Sequence, residues 1–439
     1  MSDDYWWKEA KIYELYVDKF AGDFRGLTER LGYLSELGMN CLHILPHYPS
    51  PLVDDGYDVS DYRAVRKELG TLKDFEMFTR AAHARGIRVI IDFVLNHVSA
   101  EHPWFIEARA SRESSFRDFF LWSDTAREHP LAPNPFPDIK SVNWIPNPAT
   151  QDFYFATFYP QQPDLNWDNP DVEEAMLAHM DFWIDLGVDG FRLDAAAHLI
   201  KREGTSYKGL PETHAVLKRI RKHIEQKNAG VVLLAEVHQQ IPETKRYFGV
   251  GDECHMIYHF PLAEQLLLSL LSEDLTKVGR MINESFDIPN NCQWAVFLRN
   301  HDDISDLTLT PSERRILVDA LDPGHRYPFK KGSTIAVRLA TALRGDKEML
   351  RKAFELLYSI PGAPVMYYGD EIGMENLPPQ KGIADSRKYV RGKFDWGVAR
   401  QAMADPGSLF HEVALLARGK VEGEATPEQK VLEAGVLGR

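Results

Sequence analysis

Four apolar runs in this chain each stop at an acid, a histidine or an arginine. They are Ile91-Asp92-Phe93-Val94-Leu95-Asn96-His97, Gly190-Phe191-Arg192-Leu193-Asp194, Leu233-Leu234-Ala235-Glu236 and Phe297-Leu298-Arg299-Asn300-His301-Asp302. A short apolar run bounded by polar residues reads as a buried strand. In a parallel α/β barrel all strand ends face one side, and that side carries the active site. Four such ends gather acids, histidines and an arginine around one small ligand.

The rest of the chain keeps the same rhythm. Ile12 to Phe20 reads as a first strand, rich in Tyr, Leu and Val. Leu27, Leu31, Leu34 and Leu37 recur at helical spacing and stop at Gly38. Asn40 to Leu45 is a second strand. Phe75, Phe78 and Ala82 mark a helix that ends by Gly86, and Ile87 to Phe93 is a third strand, nearly continuous in its apolarity as a sheet covered on both faces requires. Helices over Met176 to Leu186 and His214 to Gln226 precede strands at Val188 to Leu193 and Val231 to Ala235. Met256 to Phe260, Ala295 to Leu298 and Pro364 to Tyr368 complete the set. Eight strands alternating with helices predict a (β/α)8 barrel rather than a doubly wound sheet.

Two stretches interrupt the alternation. His102 to about Gln162 is rich in proline and aromatics, and a structureless loop of that length is uncommon in a compact domain. It reads as a small inserted domain after the third strand. Asp303 to Gly332 is a second irregular stretch, expected on the face where the strands end. The expected division is barrel over 1–97, insert over 98–162, barrel again over 163–396, and one last helix with a short tail over 397–439. That helix is expected around Leu409 to Leu416.

The chain has 439 residues, enough for one large barrel with an insert. Its formal charge of −14 argues against non-specific nucleic-acid binding and against a polybasic membrane contact. Cys41, Cys254 and Cys292 cannot pair completely, and buried thiols act as small hydrophobes in a reducing compartment. The acidic, aromatic start lacks the form of a secretion signal. No apolar run approaches the roughly 18 residues of a membrane span. A cytoplasmic protein is expected, with no nucleic-acid or membrane partner; a homo-oligomer is left open.

The four strand-end segments, in this order, resemble the signature regions of the α-amylase family of glycoside hydrolases. Gln162-Pro163-Asp164-Leu165-Asn166 is similar to a fifth region in the branch of oligo-1,6-glucosidases, α-glucosidases and trehalose synthases. Gly26-Leu27-Thr28, Leu52 to Tyr62 and Tyr367-Tyr368-Gly369-Asp370-Glu371 match that branch as well. The resemblance spans residues 9 to 396, and Asp54 to Asp58 and Phe297 to Asp302 look closest to trehalose synthases.

The resemblance implies that Asp194 is a nucleophile and Glu236 a general acid/base, the carboxylate pair that a retaining glycosidase needs. Asp302 would hold the sugar hydroxyls, and His97 and His301 would bond the same ring. Asp54 and Tyr57 would cap that subsite, with Asp92 and Asn96 behind. Arg192, two residues before Asp194, shares its strand face and is expected to keep Asp194 ionised. Glu236, after an apolar strand and near the charge of Asp302, is expected to hold its proton by desolvation. Each residue alone has a duller use: a lone Asp at a strand end is commonly a helix cap. Five segments in order are not reproduced by independent structural uses.

Several positions depart from the family pattern. A Lys-His pair often follows the nucleophile, and Ala197-His198 stands there instead, leaving His198 at the acceptor side or in the core. The stretch Phe20 to Phe24 is too short for the family's calcium loop, so no metal and no cofactor are expected. Arg391 is expected to border the acceptor site, and Lys330-Lys331 to be a solvated loop. Trp6, Trp7, Trp104 and Trp122 are read as packing residues. The C-terminal β-sandwich of most members is expected to be missing or reduced. The expected activity is retaining hydrolysis of short α-glucosides; the alternative is a trehalose-synthase-like isomerase or α-glucosyl transferase that uses the same glycosyl-enzyme. A non-catalytic scaffold is the remaining rival, and the presence of Asp194, Glu236 and Asp302 weighs against it.

Overall fold

Eight parallel strands close a barrel in chain order, as a computed structural model covering residues 3–419 shows. They are β1 Ile12–Leu15, β2 Cys41–Ile44, β3 Arg88–Val94, β4 Gly190–Asp194, β5 Val232–Ala235, β6 Met256–Tyr258, β7 Gln293–Phe297 and β8 Ala363–Tyr367. β8 closes onto β1 with Val365 opposite Ile12. Every residue of β1, β2, β4 and β5 is buried, the polar Glu14, His43, Arg192 and Asp194 included, as in a sheet covered on both faces.

Local signals set the helices. The helix Phe24–Leu37 starts where Asp23 accepts from the Gly26 N–H and stops at Gly38, whose φ of 90° suits a residue without a Cβ. Thr71 and Asp74 form a capping box on the helix Leu72–His83. Gly190 lets β4 press against its neighbours, because a Cβ there would lie 2.6 Å from Val232 Cγ2 and 3.0 Å from the Val232 carbonyl.

Register then places the polar strand ends. Asp92 on β3 lies opposite Arg192 on β4, and Val94 opposite Asp194. Leu193 lies opposite Ala235 on β5, and the Glu236 N–H continues that ladder to the Leu193 carbonyl at 3.1 Å.

Between β3 and β4 the chain builds a three-stranded antiparallel sheet from Trp122–Ser123, Asp152–Phe155 and Trp144–Asn147. Trp104 and Trp122 pack there against Phe119 and Phe105. The segment is fastened to the barrel by the buried Lys201 ammonium, 2.9 Å from Asp164 and 2.7 Å from Asn96 Oδ1.

Three expectations change. β1 ends at Leu15, and Val17–Phe20 is a short helix whose Val17 and Phe20 are buried, so the apolar run was real but not extended. The stretch Asp303 to Gly332 contains a helix, Pro311–Leu321, opened by a Thr310/Glu313 capping box. Past β8 two helices pack rather than one, Trp396–Ala404 and Leu409–Ala417. The tail from 420 to 439 lies outside the described residues. Among those described, no helix is long and apolar enough to cross a membrane.

Candidate active site

One guanidinium organises the floor of the site. Arg192 Nη1 lies 2.9 Å from Asp92 Oδ1 and 2.5 Å from Asp194 Oδ1, and its Nη2 lies 3.1 Å from Glu236 Oε2. The two carboxylates proposed to react are thus held within the span of one rigid fork. Ala195 follows Asp194 in a left-handed conformation, φ 48°, and turns its N–H to Glu236 Oε2 at 2.9 Å. A left-handed alanine carries backbone strain, which concentrates at functional sites.

Arg192 itself is fully buried beneath the site and lines neither cavity described below, so it positions carboxylates rather than touching a ligand. Nor does it keep Asp194 ionised alone. Burial pushes the Asp194 carboxyl well above the usual range; Arg192 opposes this, while Glu236 and Asp92 add to it. The physical reason is that one positive charge is divided among three carboxylates. Glu236, expected to be desolvated, keeps 19% of its side chain exposed and faces the cavity.

Behind this floor a polar network fixes the tyrosine and histidine. Tyr57 Oη donates to Asp92 at 2.9 Å and lies 2.6 Å from His301 Nε2, with the rings stacked. Glu14 on β1 receives the His301 backbone N–H at 3.0 Å and lies 2.9 Å from its Nδ1. His301 therefore sits one layer behind the cavity wall, while His97 lines it with Nε2 unpartnered. Burial holds the His97 pKa down to about 4.

A second charged cluster is built on two arginines, Arg387, which the sequence reading missed, and Arg391, which it had named. Arg387 donates to Asp54 at 2.9 Å, Asp302 at 3.1 Å and Asp385 at 2.8 Å. Arg391 reaches Asp302 at 2.8 Å and Asp55 at 2.7 Å. Arg391 lies behind Asp302 and lines neither cavity, instead of bordering the acceptor side. Burial would raise the Asp302 carboxyl, but His301, Arg387 and Arg391 outweigh it and hold it far below the carboxylate range. Asp54 ends at about 6, raised by burial against the pull of Arg387 and Arg391. Arg387 sits in a run, Asp385-Ser386-Arg387, whose only sequence signal is alternating charge.

Two connected cavities result. An inner recess of about 50 Å³ is lined by Asp54, Tyr57, His97, Asp194, Glu236, Asp302 and Arg387, with Phe136, Phe158 and Ala195. It shares Glu236, Asp302, Phe136 and Phe158 with an outer cavity of about 410 Å³. His198 lines the outer cavity instead of packing wholly in the core. Lys330, read as a solvated loop residue, lines it too, with its ammonium 2.8 Å from Asp303. Lys208 and His238, also missed, stand on the same wall. Among the described residues no cluster of three or more His, Cys, Asp or Glu is arranged to hold a metal ion.

Two carboxyl groups held side by side by one buried guanidinium, facing a small recess at the strand ends, are the arrangement expected of an enzyme that works on a glycosidic bond. The family of the alpha-amylase catalytic domain matches residues 6–321, and this chain belongs to that family. It is 43% identical over 423 residues to trehalose synthase/amylase TreS of Mycolicibacterium smegmatis, covering 93% of this chain and 70% of that protein. It is 44% identical over 406 residues to trehalose synthase of Thermus thermophilus, covering 91% of this chain and only 41% of that longer protein. Among solved structures it resembles trehalulose synthase MutB of Pseudomonas mesoacidophila, with a TM-score of 0.73 and 26% identity over 96% of this chain and 85% of that one.

Proposed function

We propose that this chain is a retaining α-glucosyl-transferring enzyme of trehalose-synthase type, acting on short α-glucosides. Asp194 attacks the anomeric carbon and Glu236 protonates the leaving oxygen. The released sugar, kept in the outer cavity, then returns through a different hydroxyl, with Glu236 taking its proton. Asp302 and Asp54 hold the ring hydroxyls, and His97 bonds the same sugar. Hydrolysis, the first expectation from the sequence, becomes the side reaction.

The observation that carries this reading is the small recess, carrying both carboxyls, that joins a single larger cavity with room for a second sugar. The Arg387–Asp54 ion pair stands in the wall of a recess of only about 50 Å³, too small to pass a sugar chain. Phe136 and Phe158 from the 98–162 segment, and Phe260, supply apolar walls that disfavour water near the intermediate. Residues 98–162 act in this reading as the insert that roofs the acceptor. The similarity to two trehalose synthases supports transfer over plain hydrolysis. The three cysteines are free and buried, as a reducing compartment allows, and we place the activity in the cytoplasm.

Proton NMR time courses on maltose, isomaltose, trehalose, sucrose and maltotriose test the proposal. A new disaccharide with little free glucose is the expected result. Free α-glucose as the sole product would replace it with hydrolysis.

A further inference from the structure

The two ends of the active-site space differ in charge. The recess is acidic, with Asp54, Asp194, Glu236 and Asp302. The far wall of the outer cavity carries His198 and Lys208, from the connection after β4, with His238 and Lys330 from two others. Two acids on that wall are already committed. Asp303 holds Lys330 at 2.8 Å, and Asp306 holds Arg314 at 2.8 Å. Lys208 has no such partner. Its half-buried ammonium makes no ion pair or hydrogen bond among the described residues and feels the Glu236 charge only at a distance.

The histidines beside it are also unsatisfied. His198 is 7% exposed and its Nδ1 has no partner; His238 Nε2 has none either. Burial holds both rings down, and Lys208 adds to this in each case, Lys201 with it at His198 and Lys330 at His238. Neutral imidazole N–H groups around an ammonium form a donor set for an anion. A partly buried charge without a counter-charge is costly, so the arrangement favours a ligand that supplies one. The chain's charge of −14 gives no long-range attraction for anions, so the preference must be made locally.

We propose that the molecule held in the outer cavity, the partner that releases or receives the glucosyl unit, carries an anionic group, a phosphate or a carboxylate, bound by Lys208 with His198 and His238. This rests on the transfer reading above. In the step concerned, an acceptor hydroxyl oxygen attacks the anomeric carbon, the bond from that carbon to Asp194 breaks, and the hydroxyl proton passes to Glu236. The anionic group itself forms and breaks no bond. Lys208 is a specificity residue for that acceptor.

The test loads the enzyme with α-glucosyl fluoride, which needs no natural donor. Glucose and glycerol are offered as neutral acceptors, glucose 6-phosphate and glycerol 3-phosphate as phosphate acceptors, and glycerate as the carboxylate acceptor. Fluoride release and the glucosylated products are measured. Transfer to a phosphate or carboxylate acceptor should exceed its neutral counterpart by about tenfold or more in kcat/KM, the size of one charge-assisted hydrogen bond. Lys208→Gln should shrink that ratio about tenfold, through acceptor KM, and Lys208→Arg should restore part of it. Preference for neutral acceptors in the wild type overturns the proposal, as does a ratio that Lys208→Gln leaves unmoved. In both cases continued fluoride release with transfer leaves the transfer reading standing. Absence of fluoride release in the wild type overturns that reading itself, and this proposal with it. The phosphate and carboxylate arms identify the anion.

Discussion

Arg387 Nη1 donates to Asp302 Oδ1 across 3.1 Å. The contact joins a residue that no motif announces to one that a motif makes obvious. The same buried guanidinium also serves Asp54 and Asp385, so removing it leaves those two carboxylates without an ion-pair partner and Asp302 to Arg391 and His301. Arg387→Ala should cost on the order of 3–5 kcal/mol of stability. Arg387→Lys should fold better but bind donor poorly, since a point charge cannot serve three acceptors in a plane. Thermal unfolding and glucosyl fluoride KM measure both effects; an Arg387→Ala protein as stable as the wild type would refute the cluster's structural role.

Glu236 faces the cavity and is clamped beside Asp194. If it protonates the leaving oxygen, Glu236→Gln should slow disaccharide turnover by roughly 10²–10⁴-fold. Release of fluoride should suffer far less, because fluoride departs without a proton. Burst kinetics on both donors check this, and an equal loss on each would assign Glu236 to positioning only.

Glu371 has one oxygen held by Tyr13 at 2.7 Å and Tyr33 at 2.6 Å, and its other oxygen has no partner. Burial raises its pKa from 4.5 to about 7, against the two tyrosine bonds. The folded state therefore holds this proton more tightly than the unfolded chain. Its contribution to stability is full below about pH 4.5 and is lost as pH rises through about 7. Glu371→Gln cannot ionise, so its stability relative to the wild type should climb over that window, by up to about 3 kcal/mol. Unfolding midpoints from pH 5 to 8 measure the climb; a constant difference would show that Glu371 does not titrate there.

Gly190 begins β4, the strand that ends in Asp194. Gly190→Ala drives a methyl group to 2.6 Å from Val232 Cγ2 and 3.0 Å from the Val232 carbonyl. Overpacking of this kind costs about 1–3 kcal/mol. A shift of β4 would also displace Asp194, so kcat should fall together with stability. Adding Val232→Ala should recover only part of the loss, because the carbonyl stays where it is. Chemical denaturation and glucosyl fluoride kinetics on the single and double variants check this, and full recovery would place the whole clash on the valine side chain.

The strands and the carboxyls at their ends were legible in the sequence because they are local. A run such as Val232–Ala235 is apolar through and through since parallel strands are covered on both faces, and it stops at Glu236 where the barrel opens. Order along the chain becomes order around the barrel, so the segments carrying Asp194, Glu236 and Asp302 had to converge. Ile12 to Phe20 misled for the complementary reason: burial makes a strand and a short helix equally apolar, and the pattern alone cannot separate them.

What only the tertiary structure decided is who shares charge with whom. Arg192 neighbours Asp194 in sequence, yet its effect on that carboxyl depends on Asp92 and Glu236 from other strands, which divide the same guanidinium. Arg387, 333 positions from Asp54, pairs with it in the wall of the recess, and Lys208 gains its place only where loops from distant strands fold over the barrel mouth. Hydrophobic periodicity records whether a residue is buried. Coulomb interactions and hydrogen bonds act through space between groups far apart in the chain, so the bonding chemistry of the site was set by the closing of the barrel.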